Sequence, residues 1–125
     1  MEDLRTIAKT NNKGYPFSAK IFEKFTGRYV IAVNQVIAKK DPTAHAEIEA
    51  IRKAGKEGFN FGDCTITCSG EPCPMCATAI AWAGIKQVSY LDSHKIANAK
   101  GYQFDQDVHR VNRILNLGLK IRQLK

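Results

Sequence analysis

Residues 71–82, EPCPMCATAIAW, constrain this chain more than any other stretch. Proline is suited to the first turn of a helix, and the alanines that follow favour its continuation. Cys73 and Cys76, with two residues between them, therefore fall on the first turn of one helix and can point at a single atom. That atom is a metal ion or, in a disulfide, the sulfur of the other cysteine. Whatever the fold, it has to bring its remaining chemistry to the start of this helix.

Length and composition narrow the choice. At 125 residues the chain reads as one domain over residues 1–125, with a single core. No apolar run approaches the ~20 residues of a membrane span, and the start MEDLRTIAKTNNKG lacks the apolar stretch of a secretory signal, so a cytoplasmic protein without membrane contact is expected. That compartment keeps thiols reduced, which favours ligand or core roles for Cys64, Cys68, Cys73 and Cys76 over a disulfide framework. The formal net charge of +7 favours an anionic partner, but the cations are dispersed and a solvated basic surface is the default.

Local patterns outline the architecture. Leu4, Ile7 and Ala8 give a short helix ended by the turn signal NNKGYP. FSAKIFEKF and YVIAVNQVI read as a strand pair joined at Gly27. DPTAHAEIEAIRKAGKEG reads as a helix capped by Asp41 or Thr43 and stopped at Gly55 or Gly58. CTITC is a strand leading to the thiol helix, and KQVSYL is the next strand. After a polar connection through 92–106 come a helix, DVHRVNRILN, ended near Gly118, and a last strand in LKIRQL. Five strands interleaved with helices predict an α/β sheet with helices on both faces.

A second helix start carries His45 and, two residues on, Glu47. A histidine from a separate helix beside the cysteine pair makes three ligands, and a tetrahedral Zn²⁺ held by three protein ligands keeps one position for water. Glu47 lies within reach of that water and is placed to carry its proton to a substrate nitrogen, which is the chemistry of hydrolytic ammonia loss. Helix N-termini add positive dipole ends that stabilise thiolates and developing oxyanions.

The pair HAE at 45–47 and PCPMC at 72–76 resembles the signature of the zinc-dependent cytidine and deoxycytidylate deaminase superfamily. DPTAHAEIEAIRKA and EPCPMCATAIAWA are most similar to its guanine deaminase and tRNA adenosine deaminase branches. The resemblance covers residues 15–91 and implies a three-layer α/β/α sandwich around a mixed five-stranded sheet, cytidine deaminase-like. It implies Zn²⁺ on His45, Cys73 and Cys76, with Glu47 as the proton shuttle. It also implies that Asn34 bonds the substrate ring or sugar edge, that the Ala46 N–H faces the reacting carbon, and that Phe17 packs on the base; read by itself, Asn34 in VNQ also suits an ordinary turn amide that ends a strand. Asp105 is a candidate reader of an exocyclic amine.

The preferred reading is guanine-like deamination of a small-molecule nucleobase or nucleoside, within purine metabolism. Alternatives are a tRNA adenosine deaminase acting at the wobble base, a cytosine, cytidine or dCMP deaminase, and, outside enzymes, a zinc-stabilised binding module. Members of this group are usually dimers, which implies a homodimer here. Cys73 and Cys76 alone would also suit a redox pair or a structural zinc. Cys64 and Cys68 read as buried apolar residues, His94 and His109 receive no role, and Trp82 is expected to fill the core behind the thiol helix.

Overall fold

The computed structural model describes residues 3–93 and 107–124. Alternation along the strands decides which side of the sheet becomes the core. In β1 (Ser18–Glu23) and β2 (Tyr29–Val33), Ala19, Ile21, Val30 and Ala32 share one buried face. In β3 (Cys64–Gly70) and β4 (Gln87–Asp92) the same face carries Cys64, Ile66, Cys68, Val88 and Tyr90. Each fully buried isoleucine contributes on the order of 1.5–3 kcal/mol of transfer free energy. With β5 (Lys120–Gln123) the strands form one mixed sheet in the order β2-β1-β3-β4-β5.

The connections follow from strand direction. β1 and β2 are antiparallel and joined by a tight turn in which Gly27 takes φ 74°, as expected for this glycine. β1 and β3 are antiparallel, whereas β3–β4 and β4–β5 are parallel pairs that require crossovers. α4 (Pro74–Ala83) makes the first crossover, and α5 (Val108–Ile114) lies within the second. α3 (Ala46–Lys56) sets Ala46, Ala50 and Ala54 against the sheet at helical spacing, and α4 packs beside it with Ala77 and Ile80. α1 (Leu4–Lys9) packs on the opposite face, where the Ser18 hydroxyl donates to the Leu4 carbonyl at 2.6 Å. Helices therefore lie on both sides, giving the α/β/α layering read from the sequence.

Three local expectations are corrected. YVIAVNQVI is a strand only to Val33, because the Asn34 side chain accepts from the Val36 N–H at 3.0 Å in a turn that leads into the short α2 (Val36–Lys39), whose N-cap is Gln35. Neither Asp41 nor Thr43 caps α3. Asp41 instead accepts from the Thr43 N–H and hydroxyl in a separate turn, and His45 is the N-cap. Trp82 is 91% exposed rather than buried behind α4, because it sits on the side of the helix that faces away from the sheet. Between the two glycines offered as stops for α3, the helix ends at Lys56 and Gly58 takes the left-handed φ of 74°.

Candidate metal centre and active site

The site forms where two helices begin side by side. At α3 the N-cap is His45, with extended backbone, and at α4 it is Cys73, followed by Pro74 at the first helical position. Both residues thus sit where free N–H groups and the positive dipole end are concentrated. The packing of α3 against α4 brings His45 Nδ1 to 3.6 Å from Cys73 Sγ and 3.4 Å from Cys76 Sγ. All three ligand atoms lie within 4.8 Å of one another.

These separations can be compared with the chemistry of the donors. Zn–S bonds of about 2.3 Å and a Zn–N bond of about 2.1 Å in tetrahedral array require S···N edges of about 3.6 Å. His45, Cys73 and Cys76 therefore fit Zn²⁺ with three protein ligands and one position over. The electrostatics agree. The Cys73 thiol is lowered to about 4, first by the hydrogen bond from Cys76 and then by His45. The same bond, with burial, pushes Cys76 well up, and the Cys73 thiolate raises His45. The three side chains thus hold protons among themselves where a cation would replace them.

Glu47 lies one residue inside α3 and is buried. Burial, followed by the Cys73 thiolate, raises its carboxyl to about 7, against the opposing pull of His45. A carboxyl that titrates near neutrality beside a metal site is able both to accept and to donate a proton.

The remaining candidates gather at the same end of the sheet. Asn34, 2% exposed, follows β2, and its neighbour Gln35 donates to the carbonyl of Ala44, the residue before His45, at 2.9 Å. Its Oδ1 accepts from the Tyr15 N–H at 3.2 Å and the Val36 N–H at 3.0 Å. Two backbone donors on Oδ1 set the sense of the carboxamide. Ala46 is the first residue of α3, so its N–H has no acceptor within the helix. Phe17 accepts from the Asn34 N–H at 3.0 Å, and its ring lies over Gly70, where a Cβ would fall 2.9 Å from Cε1. Asp105 and His94 lie outside the described residues.

Other expectations also find their place. Cys64 and Cys68 are buried on the core face beside Ile66, and Cys64 Sγ donates to the Asn60 carbonyl at 3.2 Å. His109 Nε2 pairs with the Tyr90 hydroxyl at 3.0 Å, away from the metal ligands in the chain and on α5.

Sequence reasoning missed the groups that hold Asn34 in place. Asn11 Nδ2 donates to the Asn34 carbonyl at 2.9 Å and to the Tyr15 carbonyl at 2.8 Å. Gly14 packs so closely that a Cβ there would lie 2.4 Å from Asn34 Oδ1. Both residues lie within NNKGYP, whose turn chemistry was legible but whose tertiary partner was not. Glu71 was also missed. It is buried, and it binds the chain on either side of the 93–107 connection: its N–H donates to the Asp92 carbonyl at 2.7 Å and its Oε2 accepts from the Val108 N–H at 2.7 Å.

Comparison with known proteins is consistent with this geometry. Residues 1–92 match the family model described as the cytidine and deoxycytidylate deaminase zinc-binding region. Guanine deaminase of Bacillus subtilis is 48% identical over 71 residues, 55% of this chain and 46% of that protein. The tRNA-specific adenosine deaminase of Haemophilus influenzae is 36% identical over 87 residues, 67% of this chain and 50% of that protein. The chain thus spans about half the length of these relatives. The solved structure of guanine deaminase from Nitrosomonas europaea superposes with a TM-score of 0.81 at 22% identity, covering 96% of this chain and 72% of that one, which shows a shared fold. A match over residues 1–92 that includes both the histidine and the cysteine motifs makes this chain a member of the cytidine and deoxycytidylate deaminase zinc-binding family.

Proposed function

We propose that this protein is a zinc-dependent hydrolase that converts an amino-substituted nucleobase to its oxo form with release of ammonia, with guanine or a close analogue as substrate. The observation that carries the reading is the meeting of His45, Cys73 and Cys76 at zinc-like separations beside the buried carboxyl of Glu47. His45, Cys73 and Cys76 would hold the ion, which when bound supplies Lewis-acid activation of water at neutral pH.

The chain's own groups do the rest. Glu47 takes one proton from the attacking water and gives it to the ring nitrogen next to the reacting carbon; it then carries the remaining hydroxyl proton to the amino group, which leaves as ammonia as the C–N bond breaks and the C=O bond forms. Asn34 Nδ2 donates to an acceptor on the base and fixes its orientation. The Ala46 N–H points from the positive end of α3 toward the reacting edge. Phe17 packs on the ring. The reading of guanine as substrate draws on the similarity to the Bacillus subtilis guanine deaminase. A tRNA adenosine substrate is the second reading, supported by the net charge of +7 and the Haemophilus influenzae relative.

The reading also takes the chain to work as one cytoplasmic domain in purine metabolism and to pair as a homodimer through α3 and α4. A groove of about 900 Å³ between these helices is lined by Ile48, Ile51, Phe61, Met75 and Trp82. An apolar groove with so exposed a tryptophan at its rim suits burial against a second copy.

The test is ammonia release by the zinc-loaded protein against guanine, adenine, cytosine, cytidine, deoxycytidylate and an anticodon stem-loop with a wobble adenosine. Turnover of guanine supports the proposal. Activity confined to the stem-loop transfers it to the second reading, and no ammonia from any of them rejects both.

A further inference from the structure

Between Asn34 and His45 the chain forms a strap whose two ends both stand at the candidate site. It leaves β2 at Asn34, forms α2, turns through Asp41 and Thr43 and enters α3 at His45. The Gln35 N–H donates to the Ala44 carbonyl at 2.9 Å and so joins the two ends. The Ala38 N–H donates to the Lys13 carbonyl at 2.9 Å, which ties α2 to the loop before β1. Toward α3 the ties are ionic: Lys39 pairs with Glu49, and Arg52, 2.9 Å from Glu49, approaches Asp41 at 4.0 Å.

Glu49 is buried, whereas Lys39 and Arg52 are half-exposed. Burial pulls its carboxyl up, but Lys39 and then Arg52 hold it below the ordinary value of 4.5, so it is charged at neutral pH. A buried ion pair adds little net stability over an apolar contact, because desolvation offsets the attraction; what it adds is a fixed choice of which groups meet. The place of Glu49 on α3 shows what is fixed. Successive helix residues turn by about 100°, so Glu47 and Glu49 flank the row Ala46, Ala50 and Ala54 on opposite sides. One side of α3 carries Glu47 beside the cysteine ligands, and the other receives the strap.

We propose that Glu49 is a positioning residue: by anchoring α2 to α3 it fixes where Asn34 stands relative to Glu47, and so how the base is held. The loop before β1 holds Asn34 from one direction, through Asn11 and Tyr15. Glu49 holds it from the other, through Lys39 and α2. Without a charge at position 49 the Lys39 pair is lost, and the longer approach of Arg52 to Asp41 is the ion pair left between strap and helix among the described residues. Asn34 then shifts independently of Glu47, while His45, Cys73 and Cys76 keep their places at the helix starts. The consequence for substrate rests on the deaminase reading; the anchoring does not.

The experiment compares the zinc-loaded parent with Glu49→Gln and with Lys39→Met in two readouts. The first is amide hydrogen exchange. The Gln35 and Val36 N–H groups, held by the Ala44 carbonyl and Asn34 Oδ1, should speed up in both variants at least about tenfold more than Ile21 and Ile66 in the sheet. The second is ammonia release from guanine, with zinc content measured alongside. Both variants should keep the parent's zinc, and kcat/KM should fall about fivefold, the worth of one hydrogen bond. In an Asn34→Ala background the same substitutions should cost less than about twofold, because the residue through which Glu49 acts is gone; a merely structural role costs the same in both backgrounds. Lys56→Met, which removes an exposed charge at the far end of α3, should match the parent in both readouts. The proposal is overturned if Gln35 and Val36 speed up no more than Ile21 and Ile66, if Glu49→Gln loses zinc, or if kcat/KM falls equally in the Asn34→Ala background. A parent that releases no ammonia rejects the deaminase reading instead, and the exchange rates by themselves then sustain or overturn the anchoring.

Discussion

Replacing Gly14 by alanine tests whether the loop before β1 sets the position of Asn34. The new Cβ would lie 2.4 Å from Asn34 Oδ1 and 2.8 Å from the Asn34 carbonyl oxygen, both inside any tolerated contact. Asn34 is buried, so the loop or the carboxamide has to move. Three hydrogen bonds are at stake: Tyr15 N–H and Val36 N–H to Oδ1, and Asn11 Nδ2 to the Asn34 carbonyl. At about 1 kcal/mol net each, losing two or three costs about 2–3 kcal/mol. For a domain of this size that lowers the thermal midpoint by about 8–12 °C. Calorimetric melting of the parent, Gly14→Ala, Asn34→Ala and the double variant measures it. In the Asn34→Ala background the Oδ1 contact is gone, so the alanine at 14 should cost at least about 1 kcal/mol less than in the parent. A Gly14→Ala protein that melts within about 0.5 kcal/mol of the parent would refute the close approach and, with it, this account of how Asn34 is held.

Further outcomes follow from the site and its surroundings. Glu47→Gln keeps the shape and the metal ligands, so zinc content should match the parent while ammonia release falls about 10²–10⁴-fold; lost metal or unchanged turnover contradicts the proton-carrying role. Cys73→Ala removes one of three ligands, and elemental analysis should find the zinc gone, with a lower thermal midpoint than the zinc-loaded parent. The Glu23 carboxyl is held below its ordinary value of 4.5, first by the Thr26 hydroxyl and then by the Asn60 N–H, with Arg28 adding to both. A depressed folded-state value stabilises the fold at pH above the unfolded titration, and that contribution is lost as pH falls through the folded value. Glu23→Gln should therefore lower the melting temperature at pH 7, with the deficit shrinking below about pH 4. Trp82→Glu places a charge in the α3–α4 groove and should shift sedimentation from dimer to monomer at micromolar concentration; a parent that is already monomeric removes the proposed interface.

Much of the fold was legible because its signals are local. Strand alternation, the alanine spacing of α3 and the proline at the start of α4 each act within a few residues, and the observed elements lie close to those they predict. The failures share a cause. The strand expected through YVIAVNQVI stops at Val33 because the Asn34 side chain, held by Tyr15 from another part of the chain, captures the Val36 N–H. Trp82 lies outside the core because α4 shows the sheet its Ala77 and Ile80 side, and composition alone does not tell which side of an apolar helix is covered.

What the sequence determined by itself is the identity and spacing of the reactive groups. Two cysteines three apart behind a proline fall at a helix start because that geometry is local, whereas the start of the histidine helix at His45, rather than at Asp41 or Thr43, was set by the packed loop before it. Tertiary structure decided the rest: that the two starts lie side by side at zinc-like distances, that the Glu47 carboxyl is buried and so pushed up, and that Asn34 Oδ1 is taken by two backbone N–H groups. Desolvation and the convergence of distant segments are properties of the packed molecule, so no window of residues contains them.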